Sequence, residues 1–487
     1  MASLFATTNN GDGHTNGADD SGNPTYILYP NIQRPNPKVV SAKGLYLTLE
    51  NGQVILDGTG GPAVACIGHG NVEVQKAVME QMEKFSYVHP LSYANASAEA
   101  LARWVVTSTG GVMAKATIMG SGSEAVEAAM KLTRQYFVDK NQPERIHFIA
   151  RKGAFHGTTL GSLSLSEKLG LRSPFQPLLI NHVSWVSTPN MYRGKLSGES
   201  TEEYVTRLVE EIREEFQRVG PSKVGAFVAE TVTGSSLGCL VAPPGYFKAV
   251  RSVCDEFGAL LILDEVMCGM GRTGSTHAWQ QEGAAPDIQT LAKSLAGGYG
   301  PVSMLLMNQK IVDALVAGGG YFNHGHTHGS HAVACAGALQ VQKIILRDRL
   351  LENVNLMGKR LELALQSALR DHPHIGDIRG RGLFWAVEFV EDKETRKPFP
   401  ANLGISRRIQ QAGLNRPQGI SLYPGSGTVD GYVGDHVLIS PPFNITPEEI
   451  DTIVLLLTQV IDDVFQAAEF PKMKASGWAM KLVETKS

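Results

Sequence analysis

The sequence predicts an α/β fold whose mostly parallel sheet is covered by helices on both faces. Three observations predict it. Between about residues 95 and 320, short apolar runs alternate with segments of helical periodicity. Those runs are hydrophobic throughout rather than alternately polar, as strands buried on both faces must be. The run 259–263 is followed at once by two carboxylates, Asp264 and Glu265, where an open parallel sheet presents its ligands.

Residues 1–24 are mostly Gly, Asn, Asp, Thr and Ser, and predict a disordered tail. The apolar runs 45–49 and 54–56 flank Asn51-Gly52, a hairpin signal, and 72–85 reads as an amphipathic helix. Helices are expected over 97–108, 123–137, 201–218 and 246–257, and strands over 116–119, 146–150, 224–229 and 259–263. The helix 201–218 has the clearest pattern. Tyr204, Leu208, Ile212 and Phe216 share one face, and Ser200-x-x-Glu203 spells a capping box. After about residue 335 a long helix leads into a βαβ-like C-terminal third.

Composition narrows the function classes. The 487 residues are 43% hydrophobic, and 44 Lys+Arg against 47 Asp+Glu leave a net charge of −3. A chain with no basic excess is not built to neutralise nucleic-acid phosphates. Five scattered cysteines, odd in number and without a CxxC pair, argue against a disulfide framework or a structural zinc site and for a reducing compartment. The N-terminus has neither a basic nor an apolar signal region, and no apolar stretch approaches the ~20 residues that span a bilayer. A cytoplasmic protein with no membrane and no metal is expected.

Several motifs compete to carry the chemistry. Asp264-Glu265 after an apolar strand resembles the Mg²⁺ strand of a P-loop ATPase, but no GxxxxGK[ST] precedes it. Gly234-Ser-Ser236-Leu-Gly238 fits the GxSxG elbow of serine hydrolases. Such an elbow needs a helix directly after the serine, and Pro243-Pro244 follow instead. Ser121-Gly122-Ser123-Glu124 opens the helix expected next, where free backbone N–H groups suit a phosphate; an ordinary serine cap has the same spelling. Lys293 stands in an apolar stretch running into glycines. It is either a solvated surface lysine or a desolvated amine able to form a Schiff base. Together, an anion cradle, a strand-end Asp and a downstream Lys are the parts that pyridoxal phosphate requires.

At this point the chain, from about Leu45 to the 460s, resembles the class III aminotransferases of fold type I, a group that includes the ornithine, acetylornithine and ω-amino-acid aminotransferases. The resemblance rests on 263–274, Leu-Asp-Glu-Val-Met-Cys-Gly-Met-Gly-Arg-Thr-Gly, followed by the segment 286–298 that holds Lys293. Gly58, Gly68-His69-Gly70, Arg379-Gly-Arg-Gly-Leu383 and Ser440-Pro-Pro442 also match. The resemblance implies a large pyridoxal-phosphate domain over 95–345 and a small domain from both chain ends, 25–94 and 346–487. It makes Lys293 the Schiff-base lysine and Asp264 the partner of the pyridine nitrogen. It gives the phosphate to Ser121, Gly122 and Ser123, and the two ring faces to Phe155 and Val266, with His156 and Glu230 beside them. Thr327 would reach the phosphate of a neighbouring subunit, so a homodimer with sites at the interface is implied. Thr231 stands where the family has Pro after the Glu. Gly431 falls where some members carry an Arg for the acceptor carboxylate, and Ala63 where several have Trp.

The implied reaction moves an amino group from an amino acid or amine donor to a keto acid or aldehyde acceptor by ping-pong steps. Racemases, epimerases and aminomutases share the scaffold and stay open as alternatives, as does a non-enzymatic binding subunit, against which the intact Lys293–Asp264 pair speaks.

Overall fold

The computed structural model describes residues 26–29 and 36–466. The tail expected over 1–24 lies outside the described residues. At the centre is a seven-stranded sheet: β1 (Lys115–Met119), β2 (His147–Arg151), β3 (Val183–Val186), β4 (Val224–Glu230), β5 (Leu260–Asp264), β6 (Ile288–Leu291) and β7 (Ser303–Met307). Across the sheet they run β1-β7-β6-β5-β4-β2-β3. β3, β2, β4, β5 and β6 pair in parallel, whereas β7 is antiparallel to both neighbours. Two reversals restore direction, so β1 also delivers its C-terminal end to the edge shared by the parallel strands.

The sheet is buried because its strands have no polar face. Every residue of β4 and β5 is buried. One face packs on the helix Gly122–Asp139 through Val126, Met130 and Phe137. The other packs on Thr201–Val219 and Tyr246–Phe257. The stripe expected on the former is there: Tyr204, Leu208, Ile212 and Phe216 are each at most 2% exposed. Burial of each such side chain contributes about 1.5–3 kcal/mol. Its capping box is formed, with Glu203 N–H donating to Ser200 Oγ at 3.1 Å and Ser200 N–H to the Glu203 carboxylate at 2.7 Å.

The chain ends build two smaller sheets. Val39–Lys43, Tyr46–Leu49 and Val54–Asp57 form an antiparallel ribbon, and Gly419–Ser421 joins its last strand in parallel. Ile375–Arg381, Phe384–Phe389, Asp435–Ile439 and Tyr423–Ser426 form an antiparallel sheet under the helices Leu350–Leu369 and Pro447–Gln466.

The C-terminal third differs from the βαβ expectation, because its main sheet is wholly antiparallel. The single long helix is two, Ala332–Arg347 and Leu350–Leu369, broken where Arg349 adopts φ +53. Among the described residues no helix is long and apolar enough to cross a membrane.

Candidate active site

Three of the strands end one residue later than the sequence pattern suggests. β5 takes in Asp264, β4 takes in Glu230 and β2 takes in Arg151, so each polar side chain is held by the last rung of a ladder rather than by a loop. Asp264 is 4% exposed. Its Oδ2 lies 2.8 Å from His156 Nδ1, while Oδ1 accepts from Val266 N–H at 3.0 Å and from the Thr290 hydroxyl at 3.1 Å. Three partners from three segments fix the position of the carboxylate. His156 is anchored in turn by its backbone N–H, which donates to Ser166 Oγ at 2.8 Å, and its buried Nε2 has no partner among the described residues.

Lys293 follows β6 after a single residue, Ala292. Its backbone sits at φ +47, a left-handed conformation that costs a side-chain-bearing residue about 1–2 kcal/mol. The turn is pinned from outside: Gln342 Nε2 donates to the carbonyls of Ser294 at 3.0 Å and Leu295 at 2.8 Å, and Ser294 Oγ to that of Ala63 at 3.4 Å. Among the described residues its ammonium forms no hydrogen bond or ion pair. Burial pulls its pKa down to about 8, against the opposing pull of Asp264 and Glu230. A lysine in this state holds a substantial neutral fraction near neutrality, as a nucleophilic or basic amine must.

Across from these groups the helix Gly122–Asp139 begins. Ser121 caps it, with its Oγ accepting from Glu124 N–H at 3.2 Å, and Glu124 closes the capping box. A Cβ on Gly122 would lie 2.7 Å from Val266 Cγ1, so only glycine admits the approach of this helix start to the residue after Asp264 and Glu265. Ser123 Oγ accepts from Thr158 N–H at 3.1 Å, which ties the helix start to the Phe155-His156-Gly157 turn. Glu230 is buried, and burial raises its pKa. One of its oxygens accepts from Phe155 N–H at 3.2 Å and the other from Gly234 N–H at 2.7 Å.

The structure therefore brings Ser121, Gly122, Ser123, Phe155, His156, Glu230, Asp264, Val266 and Lys293 to one edge. Thr327 is not among them. It is exposed on a turn of the loop 321–331, which Lys131 Nζ of the helix Gly122–Asp139 meets at His324 Nδ1, 3.1 Å away, and which Ser330 N–H ties to the Ile118 carbonyl of β1 at 3.3 Å.

Thr231 has a local rationale. Its N–H donates to the Asp264 carbonyl at 3.4 Å and its hydroxyl to Glu265 at 2.8 Å, bonds that a proline lacks the groups to make. Gly431 adopts φ +86, and a Cβ there would meet Leu169 at 2.9 Å, so an arginine does not fit. Ser236 sits in a tight turn closed by Gly238 N–H on the Gly234 carbonyl, with no helix after it, so the hydrolase elbow is absent. Sequence reasoning missed Thr290 and Gln342. Thr290 carries a recoverable signal as a strand-end residue three before Lys293, while Gln342 lies in an otherwise apolar helix with nothing to mark it.

The residues fit pyridoxal phosphate. A helix start with free N–H groups suits the phosphate, a fixed carboxylate suits the ring nitrogen, and an unpaired amine of lowered pKa suits the aldehyde. A family profile described as aminotransferase class-III matches residues 30–461. An aminotransferase of Gibberella zeae is 49% identical, the match covering 91% of this chain and 87% of the relative. Gamma aminobutyrate transaminase 2 of Solanum lycopersicum is 32% identical over 88% of this chain and 92% of its own. The solved structure of the omega transaminase from Pseudomonas jessenii in complex with PMP superposes with a TM-score of 0.85. It is 30% identical, with coverage of 91% and 97%.

Proposed function

This chain belongs to the class III aminotransferase family, and on that premise we propose that Lys293 and Asp264 carry its reaction at the edge of the central sheet. The enzyme uses pyridoxal phosphate to transfer an amino group from an amino acid or amine donor to a keto acid or aldehyde acceptor. When bound, the cofactor supplies an electron sink for the negative charge that develops at the substrate carbon.

The chain's own residues do the rest. Asp264, fixed by His156, Thr290 and Val266, holds a proton on the cofactor's ring nitrogen. Lys293, with its pKa near 8, takes the proton from the substrate Cα and delivers one at the end of each half-reaction. The N–H groups of Gly122 and Ser123 and the hydroxyls of Ser121 and Ser123 receive the phosphate. Phe155 and Val266 would flank the cofactor's ring, and Glu230 holds Phe155 in place by accepting from its N–H.

The observation that carries this reading is the unpaired, strained Lys293 beside a three-times-held Asp264. Borohydride reduction of the cofactor-loaded protein followed by peptide mapping tests it. The pyridoxyl label is expected on Lys293, and a label on another lysine overturns the assignment.

We further propose a homodimer in which Thr327 completes the partner's phosphate site. Leu91 is 81% exposed and Tyr93 66% exposed, beside the Thr327 loop that Tyr87 reaches through His328 at 5.8 Å between ring centroids. An apolar segment left this exposed is characteristic of an interface. Sedimentation of the holoenzyme is expected to give twice the 52.5 kDa chain mass, and a monomer refutes the proposal. The five free cysteines, all buried, support placing the enzyme in the cytoplasm.

A further inference from the structure

The segment that follows Glu230 doubles back and closes a strained tip. Val232 bridges to Val241, and Thr233 N–H donates to the Leu240 carbonyl at 3.0 Å. The Gly234 carbonyl then accepts from Gly238 N–H at 3.0 Å and from Cys239 N–H at 3.3 Å. Gly238 and Cys239 both adopt left-handed backbone, at φ +65 and φ +50. In cysteine that conformation crowds Cβ against the following carbonyl, so it persists only where surrounding groups over-determine it.

The tip supplies Glu230 with the shorter of its two bonds. Gly234 N–H reaches the carboxylate at 2.7 Å, and Phe155 N–H reaches the other oxygen at 3.2 Å. Any Cβ on Gly234 would run into Met267 Sδ, so only glycine brings this donor so close to the segment after Asp264. Where the tip sits therefore decides where Glu230 points, and with it the Phe155 backbone.

Arg379 holds the tip from the C-terminal sheet. It lies on the strand Ile375–Arg381 and is 9% exposed. Its Nε donates to the Gly238 carbonyl at 2.7 Å and its Nη2 to the Leu237 carbonyl at 2.6 Å, so the guanidinium grips the peptides on both sides of Gly238. Its Nη1 lies 2.9 Å from Asp377 and 2.6 Å from Glu388. Glu388 is fully buried and also meets Arg193 Nε at 2.6 Å. Turning Arg379 toward a substrate would release both carbonyls and leave a buried carboxylate short of a partner. Its geometry suits a brace, not a substrate receptor.

Resting on the reading of Glu230 as the group that seats Phe155 beside the cofactor's ring, we propose that Arg379 is a positioning residue of the reaction. It fixes the strained tip 234–239, which aims the Gly234 N–H at Glu230, which in turn holds Phe155. The path runs from buried Glu388 in the C-terminal sheet to the edge of the central sheet through hydrogen bonds and ion pairs alone. Correct seating of the C-terminal sheet on the large one is thereby a condition of catalysis.

The test uses holoenzyme with an amine donor and pyruvate. Arg379→Lys keeps the charge that Glu388 needs but gives up the fork on two carbonyls. It is expected to lower kcat about tenfold, the loss of one hydrogen bond to a charged group, with KM for both substrates unchanged. The circular dichroism induced in the cofactor's visible band should weaken with it. In a Glu230→Ala background the same substitution should cost less than about twofold, because a residue that acts through Glu230 then has nothing further to lose. Arg193→Met removes the other partner of Glu388 without touching the tip, so it should lower the melting temperature and leave kcat and the dichroism as in the wild type. Gly238→Ala presses on Arg379 Nη2, 3.1 Å from the added Cβ, and should reproduce Arg379→Lys. It takes the place of that variant if Arg379→Lys does not fold. Equal losses in the wild-type and Glu230→Ala backgrounds, or an undisturbed dichroic band in Arg379→Lys, overturn the proposal. Wild-type kcat and dichroism in Glu230→Ala alone would instead overturn the reading of Glu230 on which it rests.

Discussion

The buried floor of the candidate site and the exposed loop 321–331 are built on opposite principles. On the floor, Asp264 has three donors, Glu230 two and Arg379 four acceptors, all supplied by buried backbone or side-chain groups. On the loop 321–331, Thr327 lies on an exposed turn with no hydrogen bond among the described residues. Groups whose task is the same in every turnover are pre-organised, because reorganising a buried charge during the reaction would cost several kcal/mol. Lys293 stands between the two regimes: its backbone is pinned like the floor, but its amine, like Thr327, has no hydrogen bond among the described residues.

The sharpest way to break the comparison is to remove charge from the floor. Asp264→Asn is expected to retain cofactor and lose about 10³-fold in kcat, because a neutral amide does not hold the ring proton and several kcal/mol of stabilisation disappear. Stopped-flow half-reactions would measure it, and near wild-type rates would show that another acid serves the nitrogen.

The next effect is in pH. The Lys293 pKa is lowered to about 8, so the amine is neutral above that pH and increasingly protonated below it. Capture of pyridoxal phosphate by the cofactor-free protein should slow by about tenfold for each pH unit below 8 and level off above it. A profile centred at the ordinary lysine value would mean that the amine is not desolvated. Because the folded pKa is depressed, the same group adds stability to the cofactor-free protein as pH rises from about 8 toward that ordinary value, which urea titrations would detect.

The smallest expected effect sharpens the count of donors on the floor. Thr290→Val removes one of three bonds to Asp264 and keeps the shape of the side chain. A loss of about 1 kcal/mol, or five- to tenfold in kcat, is expected with KM for both substrates unchanged. A change in KM alone would place Thr290 in substrate binding instead.

Much of this architecture could be read from local pattern. The apolar runs of β4 and β5, the stripe of Tyr204, Leu208, Ile212 and Phe216, and the two capping boxes at Ser121 and Ser200 are short-range features. Periodicity and cap chemistry specify them without reference to the rest of the chain. The parts list of the site was legible for the same reason, since strand-end Asp264, helix-start Gly122 and Lys293 are each marked by their neighbours in sequence.

Three things were decided only in the tertiary structure. The antiparallel C-terminal sheet depends on which strands meet: Phe384–Phe389 reaches across to Asp435–Ile439, some 50 residues on, and local pattern does not encode partner or direction. The bond of His156 to Asp264 spans 108 residues. The commitment of Arg379 rests on a buried carboxylate, Glu388, that in sequence is one charge in an apolar strand. Sequence by itself determined most of the elements of the central sheet and pointed to the candidate site groups, because those follow from interactions a few residues apart. Which charges are satisfied and which remain free to bind was left to packing between distant segments, because a charge acquires its partners only when the chain has folded around it.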